Sequence, residues 1–174
     1  MGQILSEEDL KIRISGLPDG LHTYRFSVSP GSLTLDARFV EPVHVGVVLD
    51  RAQKQLYLKV DVQTAMKVGC DRCLEEYREP LESRFKIIYV YDNLGGMNHS
   101  PDEVQVLAPD AVVLDLAWDV GQAIKLSVPL KLLCKEECRG LCPRCGTNRN
   151  ATSCECKDRP VDSRWQALER LLKN

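Results

Sequence analysis

The eight cysteines of this chain fall in four close pairs: Cys70 with Cys73, Cys134 with Cys138, Cys142 with Cys145, and Cys154 with Cys156. A loop closed by two nearby thiolates is half of a tetrahedral zinc site. Zinc takes four ligands with Zn–S near ~2.3 Å, and such short spacings let two sulfurs converge without straining the backbone. Four pairs therefore point to two four-cysteine sites and two zinc ions. Three of the pairs crowd into residues 134–156, where apolar side chains are sparse. There metal binding, rather than burial, has to supply the folding free energy.

Other uses of the cysteines fit less well. Disulfides need an oxidising compartment, and residues 1–10 carry neither the basic nor the apolar stretch of an export leader. No run approaches the ~18 apolar residues of a membrane span. The chain therefore reads as cytoplasmic, with reduced thiols and no membrane association. Cys70-Asp-Arg-Cys73 alone would fit a thiol-redox motif, but it lies in a β-rich stretch rather than at a strand-to-helix turn. The sequons at Asn98 and Asn150 carry no weight without secretion, and Met1-Gly2 with Ser6 is a weak acylation pattern with no polybasic partner.

Hydrophobic residues at 44% and charged residues at 28% place the chain among soluble globular proteins. Aromatics at 6% argue against a broad base-stacking platform. The net charge of −2 hides an asymmetry: residues 1–130 hold 13 Lys/Arg against 19 Asp/Glu, whereas residues 131–174 hold 10 against 6. A basic segment beside a metal site invites a nucleic-acid reading. The alternative is local compensation, because a zinc ion held by four thiolates is itself an anionic centre.

Hydropathy alternates through the first part of the chain. Lys11-Ile-Arg-Ile14 reads as a strand before the turn chemistry of Gly16 to Gly20. Tyr24, Phe26 and Val28 share the next strand face, which Pro30-Gly31 ends. A strand over residues 43–49, a polar turn over 50–54, and a strand carrying Leu56, Leu58, Val60 and Val62 on one face follow. Residues 85–91 are apolar and β-branched, so Cys70 to Cys73 falls at the turn between two long strands, a common zinc-knuckle position. Residues 93–102 read as a loop and 104–107 as a short strand.

At Asp115 the period changes. Leu116, Val120, Ala123 and Ile124 form a helical stripe that Asp115 can cap and Pro129 ends. After the last cysteines, Trp165, Leu168, Leu171 and Leu172 share one face of a short helix that packs on the body. The expected fold class is α+β: an antiparallel β-rich body with one helix over residues 1–130, and a zinc-knuckle or ribbon segment over 131–174 that ends in a short helix and docks on the body.

Three stretches carry a specific resemblance: Cys70-Asp-Arg-Cys-Leu-Glu75, Leu133-Cys-Lys-Glu-Glu-Cys-Arg-Gly-Leu-Cys-Pro-Arg-Cys-Gly-Thr-Asn-Arg-Asn150 with Cys154-Glu-Cys156, and Asp162-Ser-Arg-Trp-Gln-Ala-Leu-Glu-Arg-Leu-Leu172. With the Leu114-Asp-Leu116 helix start, they resemble the YceD family, the bacterial and plastid large-subunit (23S) ribosomal RNA accumulation proteins. The resemblance runs from about Gly16 onward. It implies a non-enzymatic role in synthesis, processing or stability of 23S rRNA and in large-subunit assembly. It also implies a partition of ligands: Cys70, Cys73, Cys134 and Cys138 in one unit, and Cys142, Cys145, Cys154 and Cys156 in the other. The eight-residue loop between Cys145 and Cys154, rich in turn formers, is compatible with the second unit. Cys138 and Cys142 are close enough that swapped pairings stay open.

No catalytic constellation is apparent. His22, His44 and His99 lie far apart, closed four-cysteine sites leave zinc no open position, and no Gly-rich phosphate loop is present. The chain therefore reads as a binding module without a small-molecule substrate. If it binds RNA, Arg139, Arg144, Arg149, Lys157 and Arg159 are the candidate phosphate contacts. If it instead adapts pre-ribosomal proteins, those charges solvate a zinc-stapled fold and a sheet edge becomes the interaction surface.

Overall fold

In a computed structural model, residues 3–4, 9–52, 55–91, 104–156 and 164 are described. The chain forms β1 (Gln3–Ile4), β2 (Lys11–Arg13), β3 (Gly20–Val28), β4 (Val43–Ala52), β5 (Gln55–Gly69), β6 (Glu76–Tyr91), β7 (Val104–Leu107), β8 (Val113–Asp115) and α1 (Ala117–Ser127), with a 3₁₀ turn at Pro30–Leu33. Most residues of the regular elements are in strands.

Six strands make one sheet in the order β1-β3-β4-β5-β6-β7. Its four central strands are antiparallel neighbours in sequence, which short connections permit. The outermost strands differ from the antiparallel expectation: β1 pairs with β3, and β7 with β6, in parallel. A separate ribbon pairs β2 with β8.

Period-2 patterning decides which face is covered. Val43, Val45, Val47 and Leu49 of β4 are buried, and on β5 every even residue from Leu56 to Val68 is buried. Tyr24, Phe26 and Val28 of β3 and Leu81, Ile87 and Tyr89 of β6 complete that face. Against it pack Ile12 of β2, Leu114 of β8, and Leu116, Val120 and Ile124 at and within α1. The opposite face is polar and carries exposed pairs such as Arg84 with Asp61 at 2.8 Å, each worth little in water.

The helix begins later than its stripe suggests. Asp115 closes β8, and its Oδ1 accepts the amide of Ala117 at 3.0 Å, so the capping contact survives while the strand claims the residue. The helix stops at Ser127, and Val128 before Pro129 is extended, as the residue preceding a proline prefers. The expected C-terminal helix with Trp165, the 93–102 loop, Lys157 and Arg159 lie outside the described residues. Among the described residues no helix is long and apolar enough to cross a membrane.

Candidate metal centre

The register of β5 with β6 runs to Gly69 and Glu76, so the six intervening residues form a knuckle at the tip of a long hairpin. Cys70 donates its amide to Glu75 O at 2.9 Å, and Leu74 donates to Cys70 O at 2.9 Å. So tight a reversal puts Leu74 in the left-handed region at φ 62. Within the knuckle, the Arg72 amide points at Cys70 Sγ at 3.5 Å.

The two residues between these cysteines grip the distant cysteine segment. Asp71 donates its amide to Leu132 O at 2.8 Å and accepts the Leu132 amide on Oδ2 at 2.7 Å. Arg72 O accepts from the Leu141 amide at 3.0 Å, while its Nη1 donates to Cys138 O at 2.8 Å and Glu136 O at 3.2 Å. Gly140 lies against this contact. Its φ is +69, and a Cβ there would meet Arg72 O at 2.9 Å. Only glycine satisfies both the handedness and the close approach.

These contacts bring Cys70, Cys73, Cys134 and Cys138 together, while Cys142, Cys145, Cys154 and Cys156 form a second group; within each, all sulfurs lie within 4.8 Å of one another. Cys73 Sγ is 3.6 Å from Cys134 Sγ, and Cys70 Sγ is 3.7 Å from Cys138 Sγ. A tetrahedral ion with bonds near ~2.3 Å separates its sulfurs by ~3.8 Å, whereas a disulfide needs ~2.05 Å. All eight thiols are free of disulfides. Both tetrads are thus positioned to hold a metal ion, in the partition that the family resemblance implies.

The tetrads differ in exposure. Cys70, Cys73 and Cys138 are buried beside Tyr77, Leu133 and Leu141, in a small cluster apart from the main sheet core. In the second tetrad Cys142 is buried, but Cys145 and Cys156 are exposed. This centre rests on a compact turn: Cys142 donates to Thr147 O at 2.8 Å, Gly146 to Cys142 O at 2.9 Å, and Leu141 bridges Asn148. Gly146 has φ +73, which lets the chain double back after Cys145.

Four thiols this close cannot all ionise unaided. Burial is the largest influence on Cys70 and raises its pKa, but the amides of Cys134, Cys73 and Arg72 outweigh it and bring the thiol down to about 6. Burial, then the neighbouring Cys73 thiol, pushes Cys134 up to about 12. In the second group the Thr147 hydroxyl lowers Cys145 to about 6, and the adjacent Cys145 raises Cys156 to about 12. A divalent cation removes this conflict by binding all four as thiolates.

Asn150 connects the groups. Its Nδ2 donates to Cys138 Sγ at 3.2 Å, and its Oδ1 accepts the Arg139 amide at 2.8 Å. Asn148 braces it through Oδ1 and reaches Glu75 Oε1 of the knuckle at 2.8 Å. Of the residues proposed for phosphate contact, Arg139, Arg144 and Arg149 are exposed on these metal loops, and none forms an ion pair among the described residues. The structural roles of Asp71, Arg72, Gly140 and Asn150 had no spacing signal in the sequence.

The family model described as large ribosomal RNA subunit accumulation protein YceD matches residues 58–172, more than half of the chain and all eight cysteines. The chain belongs to the YceD family. Relatives within reach of direct alignment include the Bacillus subtilis protein YlbN, 29% identical over 81% of this chain and 80% of that one. The chloroplastic large ribosomal RNA subunit accumulation protein YCED homolog 1 of Arabidopsis thaliana is 23% identical over 75% of this chain and 48% of its own length; its Zea mays counterpart is 28% identical over 74% and 54%. The chain thus spans about half the length of these chloroplast relatives. No solved structure matches it.

Proposed function

We propose that this YceD-family chain is a non-enzymatic, cytoplasmic factor that supports accumulation of 23S rRNA and large-subunit assembly, and that zinc in both cysteine tetrads holds its binding surface in shape. The observation that carries the reading is that two closed four-sulfur centres support the loops bearing exposed Arg139, Arg144 and Arg149. Four thiolates in tetrahedral array suit zinc, and a closed set leaves no coordination position for hydrolysis. The stretch from Leu132 to Leu141 is anchored to the β5–β6 knuckle through Asp71 and Arg72, and metal in both tetrads would give those arginines a rigid base.

The arginines contact the RNA backbone, since guanidinium pairs bidentately with phosphate. Lys157 and Arg159 follow in the sequence as further candidate phosphate contacts. The test is a combined Arg139→Ala, Arg144→Ala and Arg149→Ala variant. It should keep its metal and fold, because exposed charge changes usually cost less than ~0.5 kcal/mol each. RNA affinity should fall uniformly across sequences, with a shallower salt dependence. It should also fail to restore 23S rRNA levels in a deletion strain. Full restoration with unchanged RNA affinity defeats the RNA-contact reading. Reduced zinc affinity with unchanged RNA binding shows that the arginines only offset thiolate charge.

A further inference from the structure

Trp118, in the first turn of α1, is 72% exposed. Leaving an indole in water forgoes a large apolar burial, so its surroundings matter. It borders a cavity of about 360 Å³ between α1 and the 3₁₀ turn. The floor is set by Gly121: a Cβ there would stand 3.1 Å from Leu33 O, so the helix lies close against the turn. Above the floor, Trp118, Gln122 and Lys125 follow one another along one helix face at i, i+4 and i+7. Ser32 and Thr34 of the turn, with Asp115 before the helix, also line the cavity. The Ser32 hydroxyl donates to Ser29 O at 2.7 Å and keeps its acceptor capacity. The Thr34 hydroxyl and the Gln122 amide make no hydrogen bond among the described residues.

We propose that Trp118 and this cavity take one unstacked base of single-stranded RNA, with Lys125 on the adjoining phosphate. The inference rests on the RNA-contact reading above and adds a base-stacking site to it. A planar ring with polar edges suits a slot that has one aromatic wall and amide and hydroxyl groups around it. Lys125 supplies the cation that a flanking phosphate needs. Leu126 and Leu130 are also exposed further along the chain, and they offer the competing protein-binding outcome to the same test.

The probe is a set of single-stranded oligoribonucleotides of roughly ten nucleotides, matched to common single-strand site sizes. They are titrated into the zinc-loaded full chain. Stacking of one base is worth about 1–3 kcal/mol, so Trp118→Ala should weaken binding by roughly 5- to 160-fold. Its salt slope should stay unchanged, because no phosphate contact is lost, while Trp118→Phe should recover most of the affinity. Lys125→Ala should make the salt slope shallower by about 0.7, the share of one single-strand phosphate. In a Trp165→Phe background Trp118 is the sole indole. Its fluorescence should then be quenched on binding, a readout that does not require Trp118→Ala to fold. Binding without quenching, or with equal affinity in Trp118→Ala, overturns the base site and leaves the arginine reading standing. No oligonucleotide binding by the unmodified chain overturns both. Unchanged RNA affinity with lost association to large-subunit proteins assigns the face to a protein partner and overturns the base site.

Discussion

Asn150 donates from Nδ2 to Cys138 Sγ at 3.2 Å, so the loop of one cysteine tetrad hydrogen-bonds a sulfur of the other. Such outer contacts orient a ligand and stabilise its thiolate form. Asn150→Ala should lower metal affinity at the Cys70 centre by roughly 10- to 100-fold while keeping all eight ligands. Competition with a chromogenic chelator measures this. Unchanged affinity would show that the contact does not support the centre.

Gly140 faces Arg72 O at a distance that no Cβ tolerates, and its φ of +69 adds a handedness penalty. Gly140→Ala should therefore cost at least 1–2 kcal/mol, the left-handed penalty alone. For a chain of this size that is a fall in Tm of about 2–8 °C. Metal should also leave the Cys70 centre faster, because Cys138 is displaced from the knuckle. A thermal melt with parallel zinc-release kinetics checks both. An unshifted Tm contradicts the close approach.

Much of this arrangement is legible in the sequence, and its limits have physical causes. Tyr24, Phe26 and Val28, or Leu56 through Val62, reveal their strands because one face is buried and the other is wet. The start of β6 at Glu76, well before Phe85, is hidden. Residues 76–83 are dominated by Glu, Arg and Pro80, and pairing with β5 holds them in the ladder. Asp115 belongs to β8 as well as to the helix cap, which a helical period cannot reveal. The cysteines announce themselves by spacing, and family resemblance orders them. Asp71, Arg72, Gly140 and Asn150 do not, because their partners lie far off in sequence. Trp118 gives no signal until the 3₁₀ turn is set beside it.

The thiols also make the metal-free chain sensitive to pH. Cys70 and Cys145 sit at about 6, below their ordinary 9.0. Their contribution to stability is therefore present above about pH 9 and lost as pH falls through about 6. Cys134 and Cys156, raised to about 12, act in the opposite sense: their contribution is present below about pH 9 and lost as pH rises through about 12. At pH 7 Cys70 and Cys145 are already ionised. Uptake of two ions should then release about six protons or fewer, rather than one per cysteine. Calorimetry in buffers of different ionisation enthalpy counts them. Eight released protons would contradict the lowered thiols.

Native mass spectrometry of the purified chain tests the metal-stapled reading most directly. The unmodified protein should carry two zinc ions. Cys70→Ser should lose one and loosen the hold on residues 134–138, and Cys154→Ser should lose the other and leave the Cys70 centre loaded. A folded chain without bound metal, or loss of both ions from either substitution, would contradict two separate four-cysteine centres.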